Sequence, residues 1–259
     1  MEIIKAVLFG IVEGITEWLP VSSTGHMILL DEFIQLKGNE EFINVFLVVI
    51  QLGAIFAVVL QFWNQMILWG KILLACIPAA IIGILFDSVF EELFYHAVPV
   101  AVALIVFGIA FIIIERWNKG RKPKIRTVDD LTVSAVLIIG VFQLLAAVFP
   151  GTSRSGATIV GALLIGVSRK AASEFTFFLA VPVMLGASLL KVLKYGFAFS
   201  GSELLVLGVG MVTAFFVSIV VIRFLMDYIK KHDFQAFGWY RIALGIVVLI
   251  GSMVGLVQV

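Results

Sequence analysis

The chain has 259 residues, of which 62% are hydrophobic and only 14% charged, and its mean hydropathy is +1.15. Such values exclude an ordinary soluble domain and point to a single integral membrane domain over 1–259. A formal net charge of +1, with no basic stripe interleaved with aromatics, leaves no electrostatic footprint for nucleic acid.

The N-terminus, Met-Glu-Ile-Ile-Lys, has neither a basic leader nor a small-residue cleavage site, so no signal peptide is expected. The first apolar segment, residues 3–19, contains Glu13 and Glu17, which helical spacing stacks on one face. Pro20 stops that helix, and the polar turn Val21-Ser-Ser-Thr-Gly-His26 opens a short segment over 22–36. Longer segments follow at 42–63, 72–86, 94–115 and 131–149. The lone Cys76, in the second of these, excludes an internal disulfide and reads as a small core residue. Pro150 begins a second polar turn ahead of a short segment at 156–168, and the chain closes with 175–195, 203–226 and 238–257. Glu174 follows Ser173 and is expected to cap the first of these three. The aromatics, including the five Trp, are expected mostly to face lipid or the interface.

A helix needs about 20 apolar residues to cross the hydrocarbon core. The segments after Pro20 and Pro150 have about 13 to 15, or roughly 20–22 Å. Each Pro-centred pair is therefore predicted to be a re-entrant helix–loop–helix. Its tip must be buried in protein or line a wet cavity.

An internal repeat supports this. At an offset of 130, Gly10 meets Gly140, Glu13 meets Gln143, Pro20 meets Pro150, Ser22 meets Thr152 and Ser23 meets Ser153. At an offset of 133, Glu41-Phe42 meets Glu174-Phe175, and Leu52-Gly53-Ala54 meets Leu185-Gly186-Ala187. The expected architecture is an all-α polytopic membrane protein with an inverted-topology repeat. Each half is a re-entrant helix–loop–helix plus three transmembrane helices, with the tips meeting near the midplane. Repeat one covers 1–117, a basic connector 116–128, and repeat two 129–259.

The connector stretch 115–126 carries six Lys/Arg, which assigns it to the cytoplasm. Lys71, Arg169, Lys170, Arg223, Lys230 and Lys231 fall on the same side. The acidic Asp31-Glu32, Glu40-Glu41 and a loop at 87–93 with Asp87, Glu91 and Glu92 fall outside, as do both termini. Lys191 and Lys194 land against the trend and read as snorkelling to headgroups.

An ionisable residue at membrane depth is costly and marks a functional site, and Glu13, Glu17 and His26 lie within fourteen residues. The second turn, Phe149-Pro-Gly-Thr-Ser-Arg-Ser-Gly-Ala-Thr158, offers hydroxyls and backbone N–H groups at a helix start, which suits phosphate. Arg154 adds a fork of donors matched to phosphate oxygens. A plainer role for Arg154 is an ion pair with Glu13 or Glu17 that locks the halves together. Flanking hydroxyls favour an oxyanion ligand. Together the two turns fit phosphoryl transfer: Arg and N–H groups hold charge, a hydroxyl or imidazole attacks, and a carboxylate moves the proton.

The residues Glu-Gly-Ile-Thr-Glu-Trp-Leu-Pro-Val-Ser-Ser-Thr-Gly-His (13–26) and Pro-Gly-Thr-Ser-Arg-Ser-Gly-Ala-Thr (150–158) resemble the two signature motifs of the BacA-type undecaprenyl-diphosphate phosphatases. The resemblance extends over essentially the whole chain, including Val49-Ile-Gln-Leu-Gly-Ala54 and Gly166-Val-Ser-Arg-Lys-Ala-Ala-Ser-Glu-Phe175. It implies cleavage of a polyprenyl diphosphate, undecaprenyl diphosphate, to the monophosphate carrier and phosphate. It also implies a multi-pass protein of the inner (plasma) membrane, with its active site open to the outer side. The carrier is thereby recycled for peptidoglycan and other cell-wall polymers, and bacitracin resistance follows when the protein is abundant. A divalent cation, Mg2+ or Ca2+, is a further expectation of the resemblance; contact with membrane lipids is expected of any such chain, and a homodimer is one oligomeric state open to it.

On that basis Arg154 clamps the diphosphate, helped by Ser22, Thr24, Gly25, Thr152, Ser153 and Ser155. Glu13 and Glu17 either hold the metal ion or serve as base and orienter. The nucleophile falls to Ser23, to His26 or to water. Gln51 and Arg241, inside spanning helices, either line the substrate cavity or bond between helices. His96 and His232 carry no signal. The rival class is a polyprenyl-phosphate transporter or flippase, since inverted repeats with broken helices serve carriers too. Reactive groups concentrated at the tips favour catalysis.

Overall fold

Side-chain caps start most of the helices. Ser22, Asn39, Thr132, Ser153, Ser168 and Ser200 each accept the backbone N–H three residues on. In this computed structural model, which describes residues 1–63, 69–94 and 96–256, every apolar segment becomes a helix. They are α1 (Glu2–Thr16), α2 (Ser23–Phe33), α3 (Glu40–Phe62), α4 (Trp69–Phe94), α5 (Ala97–Asn118), α6 (Val133–Val148), α7 (Arg154–Leu164), α8 (Arg169–Tyr195), α9 (Gly201–Tyr228) and α10 (Gln235–Met253). Among the described residues, α3, α5, α8, α9 and α10 are long and apolar enough to cross a membrane, while Trp69–Ile82 and α6 are shorter apolar stretches. The chain is a polytopic membrane protein.

Several expectations are corrected. Helix α4 runs on to Phe94, so the expected 87–93 loop is helical; the side chains of Asp87, Glu91 and Glu92 lie outside the described residues. Glu174 is no cap. Ser168 starts α8 six residues earlier in the chain, and Glu174 lies inside the helix, 3.7 Å from Lys170. Trp18 is fully buried, edge-on to Phe177 with centroids 5.3 Å apart, while Trp63, Trp69, Trp117 and Trp239 are exposed.

The helices approach closely where glycines face each other, since apolar lipid gives no hydrophobic drive and close packing supplies part of the association. A Cβ at Gly108 would lie 2.7 Å from the Gly238 carbonyl oxygen, and one at Gly238 2.7 Å from that of Gly108, which sets the α5–α10 contact. Helix α1 rests on α9 in the same way, Gly10 against the Gly210 carbonyl.

Polar contacts sort the helix ends into two groups. The end of α5, the connector and the start of α8 are joined by Glu115 with Arg169 and by the Ser168 hydroxyl donating to the Arg126 carbonyl. Lys71 donates to the Asp129 carbonyl, and Asn118 to that of Leu163 at the end of α7. In the other group, the start of α1 meets the end of α2. Lys5 donates to the Gln35 carbonyl, and the Lys37 N–H donates to Glu2. The start of α3 and the end of α8 meet as Phe42 touches Tyr195.

Candidate active site

The two tips have the same backbone device. Ser22 and Ser153 are the non-glycine residues with positive φ among those described, at 73° and 69°. Their hydroxyls accept from Gly25 N–H (3.4 Å) and Gly156 N–H (3.2 Å). Non-glycine residues held at positive φ cost about 1–3 kcal/mol each and collect at functional sites. The shared cap pairs Ser22 with Ser153 and Ser23 with Arg154. The expected matches of Ser22 with Thr152 and Ser23 with Ser153 are thus one residue out beyond the prolines. Gly151 absorbs the extra residue at φ 89°, where a Cβ would also strike the Val100 carbonyl oxygen.

Ser23 and Arg154 are each the first residue of an eleven-residue helix, and one carboxylate joins them. The Ser23 hydroxyl donates to Glu17 Oε2 at 2.8 Å, and Arg154 Nη2 donates to Glu17 Oε1 at 2.8 Å. Glu17 occupies the C-cap of α1 and is buried. Its carbonyl oxygen also accepts from the Ser155 hydroxyl at 3.3 Å, so the first tip holds the second by both main chain and side chain. Arg154 Nη1 donates to the Thr176 carbonyl at 2.8 Å, whereas its Nε has no partner. Thr158, one turn into α7, shares a hydrogen bond of 2.8 Å with the Thr176 hydroxyl, which steadies that wall.

Glu13 is fully buried one turn before Glu17, and neither of its oxygens has a hydrogen-bond partner. Its counterpart Gln143 is buried and equally unpartnered, as is the Thr152 hydroxyl. Ser153 and Ser155 share a hydrogen bond of 3.1 Å. Thr24 is half-buried beside Ser23, and Gly25 lies buried against Leu104. Gln51 is half-buried on α3, and none of the tip hydrogen bonds reaches it.

His26 has both ring nitrogens engaged. Nδ1 lies 2.7 Å from the Ser22 carbonyl oxygen, which only accepts, so Nδ1 is assigned the proton. Nε2 of the neutral ring then accepts from the Tyr240 hydroxyl at 2.7 Å. The two rings are stacked, with an interplanar angle of 4°. Tyr240 carried no signal in the sequence. Beside it, the fully buried Arg241 donates to four carbonyls: Pro20 (3.3 Å), Gly151 (2.9 Å), Thr152 (2.7 Å) and Leu104 (3.5 Å). Its fork ties the two tips together through their backbones.

A model of the family described as Bacitracin resistance protein BacA matches residues 6–247. The chain belongs to the BacA family. It is 58% identical to the undecaprenyl-diphosphatase of Desulfitobacterium hafniense over 96% of both chains. It is 58% identical to undecaprenyl-diphosphatase 1 of Clostridium acetobutylicum, over 96% of this chain and 97% of that one. An undecaprenyl-diphosphatase of Enterococcus faecalis is 57% identical with the same coverage.

The divalent cation expected from the family fits the donor set. The Glu13 carboxylate, without a hydrogen-bond partner and beside Glu17, is a hard oxygen site of the kind Mg2+ or Ca2+ takes. Among the described residues no group of three His, Cys, Asp or Glu side chains gathers to hold a metal. Two carboxylates with the rest of the shell from water and substrate phosphate is how Mg2+ is commonly held.

Proposed function

We propose that this protein hydrolyses undecaprenyl diphosphate to undecaprenyl phosphate and inorganic phosphate, as the names of its relatives state for them, and that abundance of the protein confers bacitracin resistance. The observation that carries the mechanism is the Glu17 carboxylate shared between Ser23 Oγ and Arg154 Nη2. It joins a nucleophile to its base and places both beside an anion clamp. Ser23 Oγ attacks the terminal phosphorus while Glu17 Oε2 takes its proton. The bond to the bridging oxygen breaks, and the prenyl monophosphate leaves. Arg154, the N–H groups at the starts of α2 and α7, and the hydroxyls of Thr24, Thr152, Ser153 and Ser155 hold the phosphoryl oxygens as charge develops. Glu17 passes the proton taken from Ser23 to the departing monophosphate and, ionised again, takes a proton from a water that attacks the phosphoserine. The Ser23 Oγ–phosphorus bond breaks, phosphate leaves, and Glu17 returns the proton to Ser23 Oγ. A divalent cation held by Glu13 and Glu17 would supply charge neutralisation for the diphosphate. His26, fixed by Ser22 and Tyr240, orients the start of α2 rather than attacking.

The inverted repeat belongs to the same reading. Its support is that α1 and α2 are joined at the end opposite the connector, whereas α7 ends against it. Packing partners also exchange as a pseudo-twofold axis requires: α1 with α9 and α6 with α4, α3 with α9 and α8 with α4. Positive charge at the connector end supports a cytoplasmic location for that end, in the inner membrane, with the site open outward. A pure carrier has no use for a serine bonded to a carboxylate.

The test is phosphate release from a short-chain prenyl diphosphate by the protein purified in detergent. Steady release that disappears in Ser23→Ala supports the reading. Lack of release from a folded protein across divalent cations contradicts it.

A further inference from the structure

Far from the tips, a cavity of about 370 Å3 opens between the end of α5, the connector, the turn after α7 and the start of α8. Its wall holds Arg121, Lys122, Lys124, Arg169 and Lys170. Among the described lining residues the carboxylate is Glu115, and it is fully engaged. Glu115 takes Arg169 Nε at 2.9 and 3.2 Å and Nη2 at 2.5 Å, and also accepts the Phe234 N–H at 3.0 Å. Lys170 reaches Glu174. Arg121, Lys122 and Lys124 have no carboxylate partner among the described residues, so the cavity keeps an uncompensated positive charge.

The connector that carries these cations is pinned in place. Lys124 N–H donates to the Gly166 carbonyl at 2.8 Å, and Ser168 N–H to the Ile125 carbonyl at 2.8 Å, pinning the connector to the α7–α8 turn. The Arg121 guanidinium lies 4.4 Å from the Trp117 ring centroid. At the rim, Trp117 is 58% exposed and Leu164 55% exposed, an aromatic and an aliphatic side chain of the kind that sits where headgroups meet acyl chains.

We propose that this cavity binds the phosphate of an anionic phospholipid from the leaflet at the connector end. The phosphate sits among Arg121, Lys122 and Lys124, and the acyl chains descend over Leu164. Basic pockets between helices at the cytoplasmic face suit such headgroups. A free phosphate would satisfy the cations but not the apolar rim, which favours the lipid as the source. This site is independent of the phosphatase chemistry.

The test uses the full chain in uncharged detergent, titrated with phosphatidylglycerol, phosphatidylcholine, glycerol phosphate or inorganic phosphate while its melting temperature is followed. Phosphatidylglycerol should raise the melting temperature, and the other three should not. At roughly fivefold per cation, the triple variant R121Q/K122Q/K124Q should bind phosphatidylglycerol about a hundredfold more weakly. Hydrolysis of a short-chain substrate should be unchanged in that variant. K122R/K124R should bind as the wild type does, which guards against misfolding as the cause. Equal phosphatidylglycerol affinity in wild type and triple variant overturns the proposal. A response to glycerol phosphate or inorganic phosphate as strong as that to the lipid also overturns it, by making the ligand a soluble anion.

Discussion

The two hairpin tips share a backbone and differ in chemistry. Each bends through a serine at positive φ whose hydroxyl caps the following short helix, and each presents the next side chain from a helix start. In the first tip that side chain is Ser23, and in the second it is Arg154. In the proposed mechanism the first tip supplies a nucleophile and the second a clamp for the anion it attacks. The buried Glu13, one turn before the first tip, corresponds in the second half to the uncharged, equally buried Gln143.

The comparison breaks most completely at Glu17, the one side chain bonded to both presented residues. Glu17→Gln should lower kcat by roughly three decades, because general-base and positioning roles are lost together. Steady-state kinetics with a melting curve checks this. Near-normal turnover with a lowered melting temperature would make Glu17 a structural tie alone.

Arg154→Lys tests the second tip. Lysine keeps the charge but loses the planar fork that spans Glu17 and Thr176. We expect kcat to fall by roughly two to three decades with a far smaller change in KM. A raised KM at unchanged kcat would instead mean uniform binding of substrate and transition state.

Much of this was legible from the chain. Segment lengths set against the thickness of a membrane revealed the hairpins, and Pro20 and Pro150 marked their tips. Residue types alone assembled the phosphoryl-transfer inventory. What stayed hidden has physical reasons. Positive φ at Gly151 absorbs one extra residue, so the two tips drift out of register without a local sign. Tyr240, within Trp239-Tyr240-Arg241, reads as an interfacial aromatic, and only the packing of α10 and α2 against α5 brings it to His26, 214 residues away. Arg241 satisfies itself on backbone carbonyls, which every residue carries and no pattern announces. Trp18 is buried because the tip it precedes is roofed by α8, a tertiary fact.

Arg241 tests whether the tips must be tied. Arg241→Met removes a buried fork from the carbonyls of Pro20, Gly151 and Thr152 and leaves them without these donors. The melting temperature should fall by roughly 5–10 °C and kcat by about tenfold. Full activity at an unchanged melting temperature would show that the tips hold their places without it.

The smallest effect is expected at Tyr240. Tyr240→Phe removes one neutral hydrogen bond to His26 Nε2, so turnover should fall by roughly fivefold at most. A loss as large as that of Ser23→Ala would move His26 from an orienting group to the reacting one.

The central claim is that Ser23 attacks phosphorus. It is tested most directly by rapid acid quenching of the protein during turnover of a substrate labelled in its terminal phosphate, followed by chemical characterisation of the labelled protein. The mechanism predicts an acid-stable, base-labile phosphoserine at Ser23, absent from Ser23→Ala. An acid-labile, base-stable adduct at His26, persisting in Ser23→Ala, would contradict it.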